Sequence, residues 1–216
     1  QFHNFNELTI IDREVSKTYH KGYGIEKLLV RGRSIFYIYY TKEGFHYREL
    51  LDVVETKEED PRNEFTFANL DAFDINHQCT LIAYAKETDL KMTSLKNNHH
   101  WDIQLPDRAE MIVFRTNDVL VFTNNGQLHI YANGQCIGKD HWHYACPNCV
   151  AWTDRDIYTG GFQGVIYKFA DRQHKRSFLP RAGLSVEGLA INKSGSLVAA
   201  VVDKNILIIV DSQLSF

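Results

Sequence analysis

Four short apolar segments, at 72–74, 112–114, 150–152 and 189–191, end on Asp74, Phe114, Trp152 and Ile191, so the same event recurs at spacings of 40, 38 and 39 residues. A looser copy lies upstream at 28–30. A fixed period of this length constrains architecture more than any local propensity, because each period must form one unit that buries its apolar surface against the next.

Within each period the order of events is constant: an apolar strand, a polar turn, a second apolar strand, a tight turn, a third strand and a more variable fourth. The copy after residue 109 is the clearest, with strands expected at 112–114, 119–122, 128–131 and 135–137. Asn125-Gly126 and Asn133-Gly134 stand between its last three strands. Asn-Gly is the preferred pair for a type I′ hairpin, which needs positive φ at both central residues. The next copy repeats the plan at 149–152, 157–161, 165–169 and 175–179, and the last offers 189–192, 197–202 and 206–210 without a fourth strand. Upstream, the segment at 8–12 looks like the third strand of a preceding unit, since Leu-Thr-Ile-Ile-Asp resembles the segment at 207–211. Second strands such as 35–40 and 197–202 are apolar throughout rather than alternating, which implies cover on both faces.

About 40 to 45 residues in four strands is the signature of a WD40-type β-propeller blade. The reading is therefore an all-β fold of about five partial four-stranded blades, near 8–54, 65–105, 109–140, 146–180 and 186–212, forming a segment of a larger ring. A β-sandwich with regular strand spacing is the alternative architecture. The most polar stretch, 55–63, contains Lys57, Glu58, Glu59, Asp60 and Pro61 and reads as an exposed connection between blades.

Composition narrows the function classes. A net charge of -3 argues against nucleic-acid binding through bulk positive charge, so any RNA contact has to be local. No apolar run of about 18 residues and no signal-peptide pattern is present, which points to a soluble, intracellular protein without a membrane partner. Beginning at Gln1, the sequence reads as part of a longer chain. The four cysteines lack the dense framework of small secreted domains, and reduced thiols are expected. One glycosylation-type triplet, Asn192-Lys193-Ser194, falls in an expected turn and is weak evidence for secretion.

His141, His143, Cys146 and Cys149 are zinc-type ligands. Structural zinc sites usually separate their ligand pairs by a dozen or more residues, so the histidines are better read as lying between two blades, where WD repeats often carry a structural histidine, and Cys149 as a buried thiol. His99, His100 and Trp101 fit a solvent-edged fourth strand, where adjacent side chains point to opposite faces. There is no Gly-x-Ser-x-Gly, no P-loop, and no pair of carboxylates spaced for acid and base roles. A non-catalytic chain without cofactor follows, the alternative being a metal-dependent activity at the histidine and cysteine cluster. The one noticeable basic cluster is Arg172, His174, Lys175, Arg176 and Arg181, around an outer strand. From it Arg172, Lys175, Arg176 and Arg181 are the candidate contacts for RNA phosphates or a partner.

The segment from His141 to Asn205 resembles the nucleolar WD-repeat protein 75 family, a subunit of the UtpA (t-Utp) subcomplex of the small-subunit processome. The matching pieces are His141-Trp142-His143, Thr159-Gly160-Gly161 with Gly164-Val165, Phe178-Leu179-Pro180-Arg181, and Asn205-Ile206. Where that family often carries Trp near the end of the third strand, this sequence has Tyr167 and Lys168; Phe162 and Gln163 stand where acidic residues are common. The resemblance implies a nuclear, nucleolar scaffold acting in pre-rRNA transcription and 18S rRNA maturation. Its implied partners are other UtpA subunits and processome proteins, with the 5′ external transcribed spacer of the pre-rRNA as a further contact. The alternative is a propeller scaffold in another assembly, such as a coat, a kinetochore or a ubiquitin-ligase adaptor.

Overall fold

The computed structural model describes residues 5–12, 15–31, 34–41, 44–50, 65–67, 70–78, 80–141, 146–170, 173–178 and 183–214. The expected connection at 55–63 lies outside them. Among the described residues every regular element is a strand, and there is no helix long and apolar enough to cross a membrane. The chain divides into two units, Gln1–Leu70 and Asp71–Phe216.

The first unit is one antiparallel meander of β1 (Phe5–Asp12), β2 (Val15–Arg31), β3 (Ser34–Thr41), β4 (Gly44–Leu50) and β5 (Phe65–Phe67). β2 is 17 residues long and serves two partners in turn. Its first part pairs with β1 as far as Ile25, and its remainder pairs with β3 from Ile25 to Arg31. The segment at 8–12 therefore does not belong to a preceding blade. No Pro or Asn-Gly pair interrupts 15–31, so the strand runs on, and register shifts at Phe5/Glu7, Leu8/Thr9 and Ile25/Lys27 supply the bends a turn would have made. Phe65–Phe67, grouped by the repeat boundaries with the following blade, pairs with β4 as the fifth strand of this sheet.

The second unit carries the repeat. Three four-stranded meanders follow one another: β6 (Ala72–Ile75), β7 (Leu81–Lys86), β8 (Asp89–Ser94), β9 (His100–Gln104); then β10 (Ala109–Arg115), β11 (Asp118–Thr123), β12 (Gln127–Ala132), β13 (Gln135–His141); then β14 (Cys149–Trp152), β15 (Asp156–Gly160), β16 (Ile166–Ala170), β17 (Gln173–Phe178). A three-stranded sheet of β18 (Val186–Ile191), β19 (Leu197–Val202) and β20 (Ile206–Asp211) ends the series.

β11 shows why these are blades. All of Val119 to Thr123 is buried, as the unbroken apolar run requires. Alternate residues go to different neighbours: Val119 and Val121 join Ala83, Ala85, Leu90 and Met92 of the preceding sheet, whereas Leu120 and Phe122 join Ile157 and Phe169 of the following one. β15 divides likewise, with Ile157 facing back and Tyr158 packing with Val186, Val198 and Val202. A sheet in a sandwich has one packed face; these have two, which is the WD40-type propeller arrangement. Each fully buried Val, Leu or Phe contributes about 1.5–3 kcal/mol of transfer free energy, so the inner strands hold most of the unit's apolar stabilisation. The terminal sheet buries one face against Tyr158 and Ile166 and leaves Leu197, Leu207 and Ile209 exposed on the other.

The repeat marks are also neighbours in space. The buried Asp74 carboxylate accepts hydrogen bonds from its neighbour Ile75 N–H and, at 2.8 Å, from Phe114 N–H, the equivalent residue one period later. Gly160 permits a close approach between sheets: a Cβ there would lie 2.5 Å from Val186 Cγ1 and 3.0 Å from Cys149 Sγ. The two Asn-Gly pairs behave differently. Asn133 and Gly134 both have positive φ and form the expected two-residue turn between Ala132 and Gln135. At Asn125-Gly126 only the glycine does; the loop is three residues long and closed by Gly126 N–H to Thr123 O, because the Asn125 side chain accepts from Thr123 Oγ1 and donates to Asp107.

Candidate interaction surface

Of the expected basic contacts, Arg172 and Arg181 lie outside the described residues, and Lys175 and Arg176 are placed by their backbone. Both sit on β17, the last strand of its sheet, whose outer edge has no strand partner in that sheet. Arg176 stands opposite Lys168 and His174 opposite Phe169, so Lys175 is the extra residue of a β-bulge.

The histidine and cysteine cluster is dispersed among structural roles. His143 lies outside the described residues. His141 donates from Nε2 to Asn125 O at 3.0 Å, tying β13 to the β11–β12 loop. Cys146 donates to Pro147 O, and Cys149 reaches Gly160 O and Val186 O across the junction of two sheets. Burial pushes both thiols up to about 12, far from the thiolate a metal or a redox exchange uses. Among the described residues no three His, Cys, Asp or Glu side chains gather closely enough to hold a metal ion. At the start of β9, His100 Nδ1 lies 3.0 Å from Thr93 Oγ1, and His99, just before the strand, meets Trp101 edge-on at 4.5 Å. Trp101 covers the following sheet's hairpin so tightly that a Cβ at Gly134 would fall 2.1 Å from its Cδ1.

A buried ionic group escaped the sequence reading. Lys168, at the position where Trp is frequent in WD repeats, is 8% exposed and pairs with Asp156 at 2.9 Å. Its Nζ lies 5.5 Å from the Tyr158 ring centroid and donates to Ser212 O at 3.0 Å; Tyr158 OH donates to the same carbonyl at 2.9 Å. Burial pulls the ammonium's pKa down, but hydrogen bonds to Asp156 and Tyr158 outweigh it and leave it raised. The group fixes the turn after β20 onto the preceding blade. Its signal was present: Lys168 pairs with Tyr158 in register, which puts Asp156 on the same face two residues along.

Two turns from adjacent blades form a cleft of about 540 Å³ beside this group. One is the β14–β15 turn, with Trp152, Asp154 and Arg155; the other is the β18–β19 turn, with Asn192, Lys193 and Ser194. Both are held by side-chain-to-backbone bonds. Thr153 Oγ1 accepts from Arg155 N–H and Asp156 N–H, and Asn192 Oδ1 accepts from Ser196 N–H and Leu197 N–H at 2.9 and 3.0 Å. A Cβ at Gly195, whose φ is +71°, would meet Thr153 Cγ2 at 3.3 Å, so the turns are in near contact at the cleft floor. Trp152 is 40% exposed there, and at the other end of β15 the turn residue Phe162 is 72% exposed.

No family model matches this sequence, and no curated protein matches it. Solved structures do. A chain in the crystal structure of the mitotic checkpoint complex is similar with a TM-score of 0.57 and 18% identity, over 67% of this chain and 48% of that one. The computationally designed Ika8 protein is similar with a TM-score of 0.64 and 12% identity, over 86% of this chain and 57% of that one. The chain thus spans about half the length of these structures. At such identities the likeness concerns the fold alone.

Proposed function

We propose that this protein is a non-catalytic docking scaffold. The observation that carries the reading is how its chemically capable side chains are employed. Asp74 bonds to the next blade, Lys168 and Asp156 bind each other, Cys149 bridges two sheets, and His141 holds a loop. The faces of the inner blades are consumed in packing, so the turn rims and the outer strands are what these blades offer to other molecules.

Within that reading, the assembly is the small-subunit processome and the chain a UtpA-type subunit acting in pre-rRNA transcription and 18S rRNA maturation in the nucleolus. Support comes from the resemblance between His141 and Asn205, including the Thr159-Gly160-Gly161 and Phe178-Leu179-Pro180-Arg181 pieces. Lys175 and Arg176, next to each other on the edge strand β17, are the proposed phosphate contacts, with Arg172 and Arg181 flanking them in sequence. Affinity purification of the full-length protein from nuclear extract tests the assignment. Co-purification of UtpA subunits and pre-rRNA is expected, and their absence beside subunits of a coat, kinetochore or ubiquitin ligase would reassign it. Reversing charge at Lys175 and Arg176 is expected to weaken RNA binding and to reduce the slope of log affinity against log salt by about 1 to 2.

A further inference from the structure

Arg155 and Lys193 are exposed and, among the described residues, pair with no carboxylate, although they line one cleft together with the half-exposed indole of Trp152. The nearby Asp156 is already neutralised by Lys168. Two such cations beside an aromatic surface form a site for an anion attached to something apolar. The cleft is open to solvent, and the hydrogen-bonded turns on both sides make it preformed, which lowers the ordering cost of binding.

We infer that this cleft docks a short acidic peptide segment of a partner protein: an Asp or Glu carboxylate between Arg155 and Lys193, with the neighbouring apolar side chain against Trp152 and Ile191. A peptide fits these charges better than a nucleic acid. Asp154 also lines the cleft and repels a continuous polyanion, whereas it can accept a backbone N–H from a peptide. Two cations suffice for one carboxylate but neutralise too little of a phosphate chain, and the chain as a whole carries a net charge of -3. This inference rests on the scaffold reading and specifies one of its docking points.

The test is an NMR titration of the 216-residue chain with the hexapeptide Gly-Leu-Glu-Glu-Leu-Gly, capped at both ends, with its Lys-for-Glu counterpart and oligouridylate as the other arms. The glutamate peptide is expected to shift the Trp152 indole N–H and the backbone amides of Arg155, Lys193 and Ser194, and the lysine peptide to leave them in place. The double variant R155E/K193E changes only exposed turn residues; it is expected to keep the wild-type spectrum elsewhere and to lose about tenfold in affinity, corresponding to about 1.4 kcal/mol. Equal shifts from both peptides, shifts confined to other residues, or tighter binding of oligouridylate at the same amides would each overturn the inference. Purification separates the two readings. If R155E/K193E in the full-length protein retains every partner the wild type recovers, the cleft is not the docking point and the scaffold reading stands; if the wild type recovers none, the scaffold reading itself fails.

Discussion

A methyl group at Gly160 would collide with Val186 and crowd Cys149, and Val186 has no room to withdraw, since it is fully buried in the core it shares with Tyr158. Replacing Gly160 with Val is therefore expected to destabilise the second unit by about 1–3 kcal/mol or more through overpacking, measured as a lowered thermal midpoint. His129 makes a different prediction. Burial, aided by the charge of Lys139 and opposed by Asp107, holds its pKa below 6.5 in the folded protein. On acidification the unfolded chain takes up this proton first. The stability His129 supports is thus present above about pH 6.5 and is lost as pH falls toward the folded-state value. Unfolding midpoints at pH 7.5 and 5.5 should differ less for His129→Gln than for the wild type; an equal difference would remove His129 from the account. Sequence reasoning could not mark His129, because burial decides its role, and burial here comes from sheets that are close in space but separate in the chain.

Strands in the second unit were legible because two independent signals agree, unbroken apolar runs flanked by polar turns and a constant distance between runs. β14 (Cys149–Trp152) and β19 (Leu197–Val202) fall where the sequence places them. In the first unit only the apolar runs are present, and β2 continues through 15–31 where no turn chemistry stops it. Turn type was less legible than turn position: Asn133-Gly134 follows the intrinsic preference, while at Asn125-Gly126 the side chain's bonds to Thr123 and Asp107 select a longer loop. β11 invites the most direct test at this scale. Phe122→Ala removes a ring buried to 1% exposure between two sheets and is expected to cost about 3–5 kcal/mol. Because Leu128 and Ile130 on one side and Ile157 and Phe169 on the other share that cluster, hydrogen exchange should accelerate in both sheets together. Acceleration confined to β10–β13 would mean the sheets unfold independently.

In the second unit, the repeat of 38 to 40 residues is what brings distant segments into register, as the Asp74–Phe114 bond records. The same logic placed Trp152 and Ile191 at one equivalent position of successive blades, and both line the cleft between the β14–β15 and β18–β19 turns. Their juxtaposition was implicit in the spacing. That Trp152 would stay half-exposed beside Arg155 and Lys193 was not, since exposure depends on how closely the turns approach at Thr153 and Gly195.

Leu207 and Ile209 carry a practical consequence for anyone handling the protein. Standing 65% and 58% exposed on β20, with Leu197 at 46% on the strand beside them, they give water a greasy patch on the last sheet of the second unit. Purified by itself, the 216-residue chain is expected to elute early and broadly from a sizing column, with a scattering mass that climbs on concentration. Leu207→Lys with Ile209→Lys, both on the solvent side, should give a sharp 25.0 kDa peak without lowering the melting temperature. Unchanged elution would clear this patch of responsibility for the stickiness.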